Sequence, residues 1–369
     1  MEKINFIDLK FQYHIYMEKI MSVIRDVVNS GSFVGGDHLE VFENNFAKFH
    51  RSKYCVGVGS GTDALWLSLL ALDVGADDEV IVPANTFIAT AFAVSHTGAK
   101  VVFVDADPIT YNMDLDKLFD AINYKTKAII PVHLYGNPCN IEAIKGIING
   151  RNVKIIEDCA QACGAMYNYE MVGTIGDVGC FSFYPTKNLG GLGQGGAIVT
   201  NNEKLADKVR ELGNMGRAKN SWFDYDHIGF NSRLDSINAA FLNLGLQQID
   251  KWNASRRYIS ELYNLQLYNI KHVRLPTESE NTIHVYHLYE MRCRNKKERD
   301  ALKKYLEKQY VFTGLHYPVP CHLQKPYKDH GSFPVAEELA NTLISLPMHP
   351  NLKREEVDYV CNKIKEFYS

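Results

Sequence analysis

The segment Phe181-Ser-Phe-Tyr-Pro-Thr-Lys187-Asn-Leu-Gly-Gly-Leu-Gly-Gln-Gly-Gly196-Ala-Ile-Val-Thr200 sets a single lysine between an aromatic-rich strand and a glycine-rich loop. A lysine amine becomes a useful nucleophile when its surroundings let it shed a proton, or when it is held by a carbonyl as a Schiff base. Apolar and aromatic neighbours on one side of Lys187, and unhindered glycine backbone on the other, supply that setting. A lysine beside a glycine turn is, taken alone, an ordinary solvated loop residue. The rest of the chain is what gives Lys187 weight.

Upstream of this segment short apolar runs alternate with helical ones. Strands are expected at Tyr54–Val58, Glu79–Pro83, Lys100–Val104, 128–132 and 153–157, then 178–184 and Gly196–Thr200. Helices are expected at 62–72, 87–96, 114–122, 140–148 and 203–212. This rhythm argues for a mostly parallel sheet with helices on both faces. Ligands of such sheets sit beyond the carboxyl ends of the strands. Before the sheet, residues 12–30 carry Ile20, Ile24, Val27 and Val28 and stop at Gly31, which predicts an amphipathic helix with a glycine cap. A second helix is expected from Asp37, with Glu40 completing a capping box and Leu39, Phe42, Phe46 and Phe49 as its apolar stripe. A long helix over 234–265 would link a large domain (1–250) to a smaller C-terminal α/β domain (251–369). The latter has a strand near 285–292 and helices near 297–309 and 355–367.

Composition narrows the function. The chain has 369 residues, 46% of them hydrophobic, enough for a large core plus a smaller unit. Its 40 Lys and Arg stand against 43 Asp and Glu with no block of like charge, so neither nucleic acid nor a membrane surface is an expected partner. Met1–Lys10 mixes charges among its apolar residues, unlike a signal peptide, and no apolar run approaches the roughly 20 residues needed to span a bilayer. The eight cysteines include no C-x-x-C pair; Cys159 and Cys163 lack a second cluster to complete a metal site, and no metal is expected. The thiols read as reduced and the protein as cytoplasmic.

Asp158 closes the apolar strand Ile155-Ile156-Glu157-Asp158. A buried carboxylate there needs a cation. A protonated pyridine nitrogen would serve, and an aspartate that keeps a pyridinium protonated, paired with a Schiff-base lysine, is the protein's contribution to pyridoxal phosphate chemistry. Without Lys187, Asp158 would be read as a helix cap or half of a salt bridge. Ser60-Gly61-Thr62 falls where a strand gives way to a helix, a natural anion site, although Thr62 is also an ordinary N-cap. Ser182 offers a second hydroxyl for a phosphate. Gly191-Leu-Gly-Gln-Gly-Gly196 matches G-x-G-x-x-G, which raises a nicotinamide-dependent sugar oxidoreductase as a rival. That fingerprint should open a helix, whereas this one leads into the apolar strand Ala197–Thr200.

Together, Ser60–Leu65, Pro83–Phe87, Val132–Gly136, Glu157–Gln161, Gly176–Asn188 and Gly229–Arg233 make the chain resemble the DegT/DnrJ/EryC1/StrS sugar aminotransferases over nearly its whole length. The resemblance implies a fold type I pyridoxal phosphate enzyme working as a homodimer with active sites at the interface. It implies Lys187 as the Schiff-base lysine, Asp158 on the pyridine nitrogen, Phe87 stacked on the ring and Gln161 at the ring hydroxyl. Gly61, Thr62 and Ser182 would hold the phosphate, with Asn231 reaching in from the other subunit. Dehydratases of the family have His in place of the lysine, so Lys187 speaks for transamination. Tyr184, Arg217, Lys219, His316, Tyr317 and His322 lie on loops that, by resemblance, face the substrate. The expected reaction transfers the amine of L-glutamate to a dTDP-3-keto-6-deoxyhexose. A 4-keto nucleotide sugar is the nearest alternative, and a non-catalytic cofactor-binding sensor the remote one.

Overall fold

The structure, a computed structural model, describes residues 3–369 except Ile15, Asn220 and Asp329, with the backbone alone at Phe11 and Gln12. Two helices, α1 (Leu9–His14) and α2 (Met17–Ser30), replace the single helix expected over 12–30, in which Ile15 lies outside the described residues. Gly31 closes α2 in the left-handed conformation at φ 69°, as expected, and its N–H reaches the carbonyls of Val27 and Val28. Helix α3 (Asp37–Phe49) begins where anticipated but without a capping box. Its N-cap is Gly36 at φ 78°, and Asp37 and Glu40 both sit in the first turn, where their charges favour the helix dipole.

The main sheet follows. Its elements are β1 (Tyr54–Val58), α4 (Gly61–Ala71), β2 (Glu79–Pro83), α5 (Ile88–Ser95), β3 (Lys100–Val104), α6 (Leu115–Ala121), β4 (Thr126–Ile129), α7 (Ile141–Ile147) and β5 (Lys154–Asp158). A short hairpin, β6 (Met166–Tyr167) and β7 (Glu170–Met171), precedes β8 (Val178–Ser182), β9 (Gly196–Thr200) and α8 (Glu203–Gly213). Among the described residues the sheet has seven strands in the order β1-β9-β8-β5-β4-β2-β3. Every strand runs parallel except β9, which is antiparallel to both β1 and β8. Strands β2 and β9 are buried along their whole length, which is why they read as continuous apolar runs rather than alternating ones. One face is packed by a core that includes Leu65, Leu67 and Leu69 of α4 with Ala91 and Val94 of α5. The other is packed by Phe42 and Phe46 of α3 and by Leu118, Ile141 and Ile144 under α6 and α7.

The long helix expected over 234–265 is two helices, α9 (Ser236–Leu246) and α10 (Ile249–Leu267). The break follows Gly245, where an added Cβ would come 2.9 Å from Leu189 Cδ1, so the position that weakens the helix is one where close packing excludes a side chain. Beyond it lie β10 (Val273–Arg274), β11 (Thr282–Ile283), β12 (Tyr289–Cys293), α11 (Lys296–Lys308), α12 (Pro334–Thr342), β13 (Leu343–Leu346) and α13 (Arg354–Tyr368). Strands β10, β12 and β13 form an antiparallel sheet whose core includes Tyr263, Tyr289, Met291, Leu302, Val357 and Ile364. Ile4 belongs to this core too, so the start of the chain packs with its end. Strand β11 crosses back to pair with β6.

The short strands β6, β7, β10 and β11 escape a reading based on periodicity because two residues carry no period. No helix of the described residues is long and apolar enough to cross a membrane. All eight cysteines are buried and unpaired.

Directly before Asp158 stands Glu157, fully buried. Its Oε1 accepts the N–H groups of Ile175 (2.9 Å) and Gly176 (2.6 Å), and its Oε2 accepts that of Gly173 (2.8 Å). His133 Nε2 lies 2.9 Å from Oε2, while His133 Nδ1 accepts the Cys139 N–H, so the ring's own proton belongs on Nε2. His133, Glu157 and Cys159 have the composition of a metal site, but these donors already occupy the carboxylate and the ring. Glu157→Gln turns an NH2 onto a donor whichever way the amide faces. We expect it to cost about 2–4 kcal/mol of stability, read as a lower urea-denaturation midpoint; an unchanged midpoint would refute this account of the network.

Candidate active site

A cavity of about 470 Å³ opens at the carboxyl ends of β1, β8, β5, β4 and β2, the end at which antiparallel β9 begins. At one wall Ser60 caps α4, its Oγ accepting the Asp63 N–H at 3.0 Å. Ser60, not Thr62, is therefore the cap. Gly61 and Thr62 occupy the first helical positions, whose N–H groups have no acceptor within the helix. A Cβ on Gly61 would fall 2.6 Å from Ser182 Cβ, and one on Gly196 would fall 2.4 Å from the Ser60 carbonyl. Glycine at both places lets the ends of β1, β8 and β9 close around the helix N-terminus, with the Ser182 hydroxyl beside it. Backbone donors, helix dipole and hydroxyl converge there as an anion cradle.

At the floor stands Asp158, the last residue of β5 and buried. Thr90 Oγ1 donates to its Oδ2 at 2.9 Å, and the Ala160 N–H donates to its Oδ1 at 3.1 Å. Thr90 is itself linked to Thr86 by a hydroxyl pair at 2.9 Å. Burial pushes the Asp158 carboxyl up despite these bonds and the opposing charge of Lys187. Two neutral donors do not offset the burial of a carboxylate. A cation bound above Asp158 would, and the protonated ring nitrogen of pyridoxal phosphate fits that need.

Lys187 lies on the turn that leaves β8, where its N–H donates to the Tyr184 carbonyl at 2.8 Å. Loss of water around the amine lowers its pKa to about 8, with Asp158 pulling the other way. The glycines behind it are held tightly. A Cβ on Gly190 would meet the Pro185 carbonyl at 2.2 Å, and one on Gly191 would meet Asn238 Oδ1 at 2.4 Å. The run Gly191–Gly196 then enters β9 and opens no helix, so it lacks the context of a dinucleotide fingerprint.

Phe87 sits just ahead of α5 in extended conformation, its ring half-exposed and 5.4 Å from the Tyr317 ring centroid. Gln161 Nε2 donates to the Tyr317 hydroxyl at 2.9 Å, and its Oε1 accepts the Tyr135 N–H. Both Tyr184 and His316 line the same cavity. Burial, with Lys187 adding to it, pushes His316 down to about 4, so the ring is neutral. Its Nδ1 lies 2.7 Å from Ser345 Oγ, which is hydrogen-bonded in turn to Glu290.

Four expected residues lie elsewhere among the described contacts of this chain. Asn231 is exposed and accepts from Arg233 Nη2 at 2.7 Å. Arg217 lies over the Trp222 ring at 5.3 Å, and Lys219 pairs with Asp207 at 2.7 Å; both line a separate surface cleft. His322 does not line the cavity. It is buried against Phe333, with Nε2 3.1 Å from Glu337 Oε1, because the turn that carries it folds under α12. Conversely, Thr90, Thr186, Gln194 and His287 line the cavity without having been singled out. Thr90 carried a signal, one helical turn after Thr86 behind the strand β2; His287 arrives from the far end of the chain and carried none.

Residues 15–365 match the DegT/DnrJ/EryC1/StrS aminotransferase family. The chain is 43% identical over 370 residues to dTDP-3-amino-3,6-dideoxy-alpha-D-galactopyranose transaminase of Aneurinibacillus thermoaerophilus, covering 99% of each. It is 42% identical over 370 residues to a pleiotropic regulatory protein of Geobacillus stearothermophilus, covering 98% of each. The crystal structure of S. venezuelae DesV in complex with a ketimine intermediate superposes with a TM-score of 0.96 at 38% identity, covering 100% of this chain and 99% of that one. A lysine and an aspartate on the floor of one cavity, an anion cradle at its wall and likeness along the full chain agree: the protein belongs to the DegT/DnrJ/EryC1/StrS aminotransferase family and is a pyridoxal-phosphate-dependent sugar aminotransferase.

Proposed function

We propose that the enzyme transfers the amino group of L-glutamate to a dTDP-3-keto-6-deoxyhexose, giving a dTDP-3-amino-3,6-dideoxyhexose and 2-oxoglutarate. The observation that carries the transaminase reading is the Lys187 amine, lowered to about 8, facing buried Asp158 in the cavity that Gly61 and Thr62 also line. Likeness to the Aneurinibacillus transaminase supports the choice of a 3-amino dTDP sugar.

When bound, pyridoxal phosphate supplies an electron sink through which an amino group can pass between an amino acid and a ketone. Gly61, Thr62 and Ser182 would hold the phosphate, Asp158 would keep the ring nitrogen protonated, Phe87 would pack on the ring and Gln161 would meet the ring hydroxyl. Lys187 would anchor the group and, as a neutral amine, take the proton from the amino-acid Cα. In the second half-reaction it delivers a proton to the sugar carbon that receives nitrogen. Tyr184, His316 and Tyr317 line the remaining space, where the sugar would lie.

Trp222, Phe223 and Ile228 leave at least three-quarters of their surface exposed on the same loop as Arg217 and Lys219. An apolar group of this kind fits a second copy of the chain. In that homodimer Asn231, Arg217 and Lys219 reach the partner's cavity, where the two cations suit a diphosphate. Residues 1–250 carry the cofactor, and 251–369 supply His287, His316 and Tyr317. Eight unpaired, buried thiols fit a cytoplasmic setting.

Two outcomes are expected. Because only the neutral amine attacks an aldehyde, the rate at which cofactor-free protein takes up pyridoxal phosphate should rise with pH and level off above a midpoint near the lowered value of about 8. A midpoint near the ordinary lysine value of 10.5 would contradict the burial argument. The function itself is tested by visible absorption. L-glutamate should bleach the band of the bound cofactor, a 3-keto-6-deoxy dTDP sugar should restore it, and Lys187→Ala should do neither. Restoration by a 4-keto sugar alone would keep the transaminase and overturn the 3-keto assignment, and failure of glutamate to bleach the band would overturn the donor.

A further inference from the structure

Glu290 is a carboxyl in the wrong place for an ordinary acid. It lies on β12, fully buried, and burial pushes it up to about 8. Its Oε1 is hydrogen-bonded to Ser345 on β13, and among the described residues its Oε2 has no hydrogen-bond partner. A carboxylate with one bare oxygen in this setting is costly, and a neutral carboxyl much less so. Ser345 Oγ in turn lies 2.7 Å from His316 Nδ1. The His316 ring is held in that alignment. It stacks on Phe6 at 5.5 Å, and Gly314, which exchanges backbone hydrogen bonds with Ser345, leaves the space that a Cβ would take 2.7 Å from His316 Cε1.

We propose that Glu290 is a positioning residue for the amine-accepting half-reaction: through Ser345 it decides which ring nitrogen of His316 carries a proton, and so whether His316 offers the sugar a donor or an acceptor. This rests on the function proposed above only in naming the sugar as the ligand. With the carboxyl neutral, Glu290 O–H donates to Ser345 Oγ, Ser345 O–H donates to His316 Nδ1, and the ring keeps its proton on Nε2. An Nε2–H is a donor suited to a carbonyl or hydroxyl oxygen. When that proton leaves Nε2, Nδ1 takes the serine proton and Ser345 takes the carboxyl proton. The end state is ionised Glu290, Ser345 donating to it, and Nδ1–H donating to Ser345. One proton has departed, and two have moved one bond each. The other titratable groups facing this array are Tyr111, Tyr135 and Tyr317, whose phenols burial holds neutral, and Lys187 and His287 beside His316.

The test is 15N NMR of the cofactor-loaded enzyme with labelled histidine, the His316 signals being identified by their loss in His316→Asn. Imidazole nitrogen shifts report which nitrogen is protonated whether or not the enzyme turns over. The wild type should show Nε2–H at about pH 6 and cross to Nδ1–H at about pH 10. Ser345→Ala and Glu290→Gln should both abolish the crossing while the other histidine signals stay in place. Ser345→Ala should also slow re-amination by the sugar about tenfold or more, with the glutamate half-reaction within about twofold of wild type. The same tautomer at both pH values, or a crossing that survives in Ser345→Ala, would overturn the proposal.

Discussion

The structure depends on what it costs to bury Asp158. A carboxylate at the end of a parallel strand, under two threonines and a backbone amide, is short of positive charge. Burial raises its pKa, and Lys187 only partly offsets that rise. The same loss of water lowers the lysine amine to about 8. Each group is thus perturbed in the direction that the chemistry needs. The aspartate calls for a cation above it, and the lysine sheds its proton near neutral pH. A ring that becomes a cation at one edge and carries an aldehyde elsewhere answers both.

Topology delivers these groups to one place. Parallel strands bring the residues after β1, β2, β4 and β5 to a common edge. Strand β8 brings the chain to that edge, and β9, the one antiparallel member, starts there straight after the Lys187 turn, so Gly196 is packed against Ser60 and Gly61. Glycines at 61, 190, 191 and 196 matter because backbone or side-chain atoms stand where their Cβ would be. Segments beside the C-terminal sheet then line the cavity with His287, just before β12, and with His316 and Tyr317, between α11 and α12. His316 is held from behind by Ser345 and Glu290, which ties the small sheet's polar interior to the reacting end of the large one.

Much of this was legible in the sequence, for physical reasons. Strands β1, β2, β3 and β9 fall on the expected residues because wholly or largely buried strands are nearly continuous apolar runs with glycine or polar boundaries. Lys187, Asp158, Gly61, Thr62, Ser182, Phe87 and Gln161 meet in one cavity because each lies within a few residues of a strand or helix end. What was not legible depended on tertiary contact. The break between α9 and α10 is set by the approach of Leu189 to Gly245, and the cap of α3 by a left-handed glycine rather than by Asp37. His322 has the same residue type and loop setting as His316, yet one folds under α12 and the other faces the cavity. No local pattern separates them. Arg217, Lys219 and Asn231 lie outside this chain's own cavity, and their assignment rests on a second copy.

Lys187 alone among the lysines should carry the cofactor. Borohydride reduction of the protein loaded with pyridoxal phosphate, followed by proteolysis and mass spectrometry, tests it directly. The reduced cofactor should appear on the peptide that contains Lys187 and on no other. Its appearance on a different lysine, or its absence from Lys187 while the cofactor binds stoichiometrically, would mean that Lys187 is not the Schiff-base lysine.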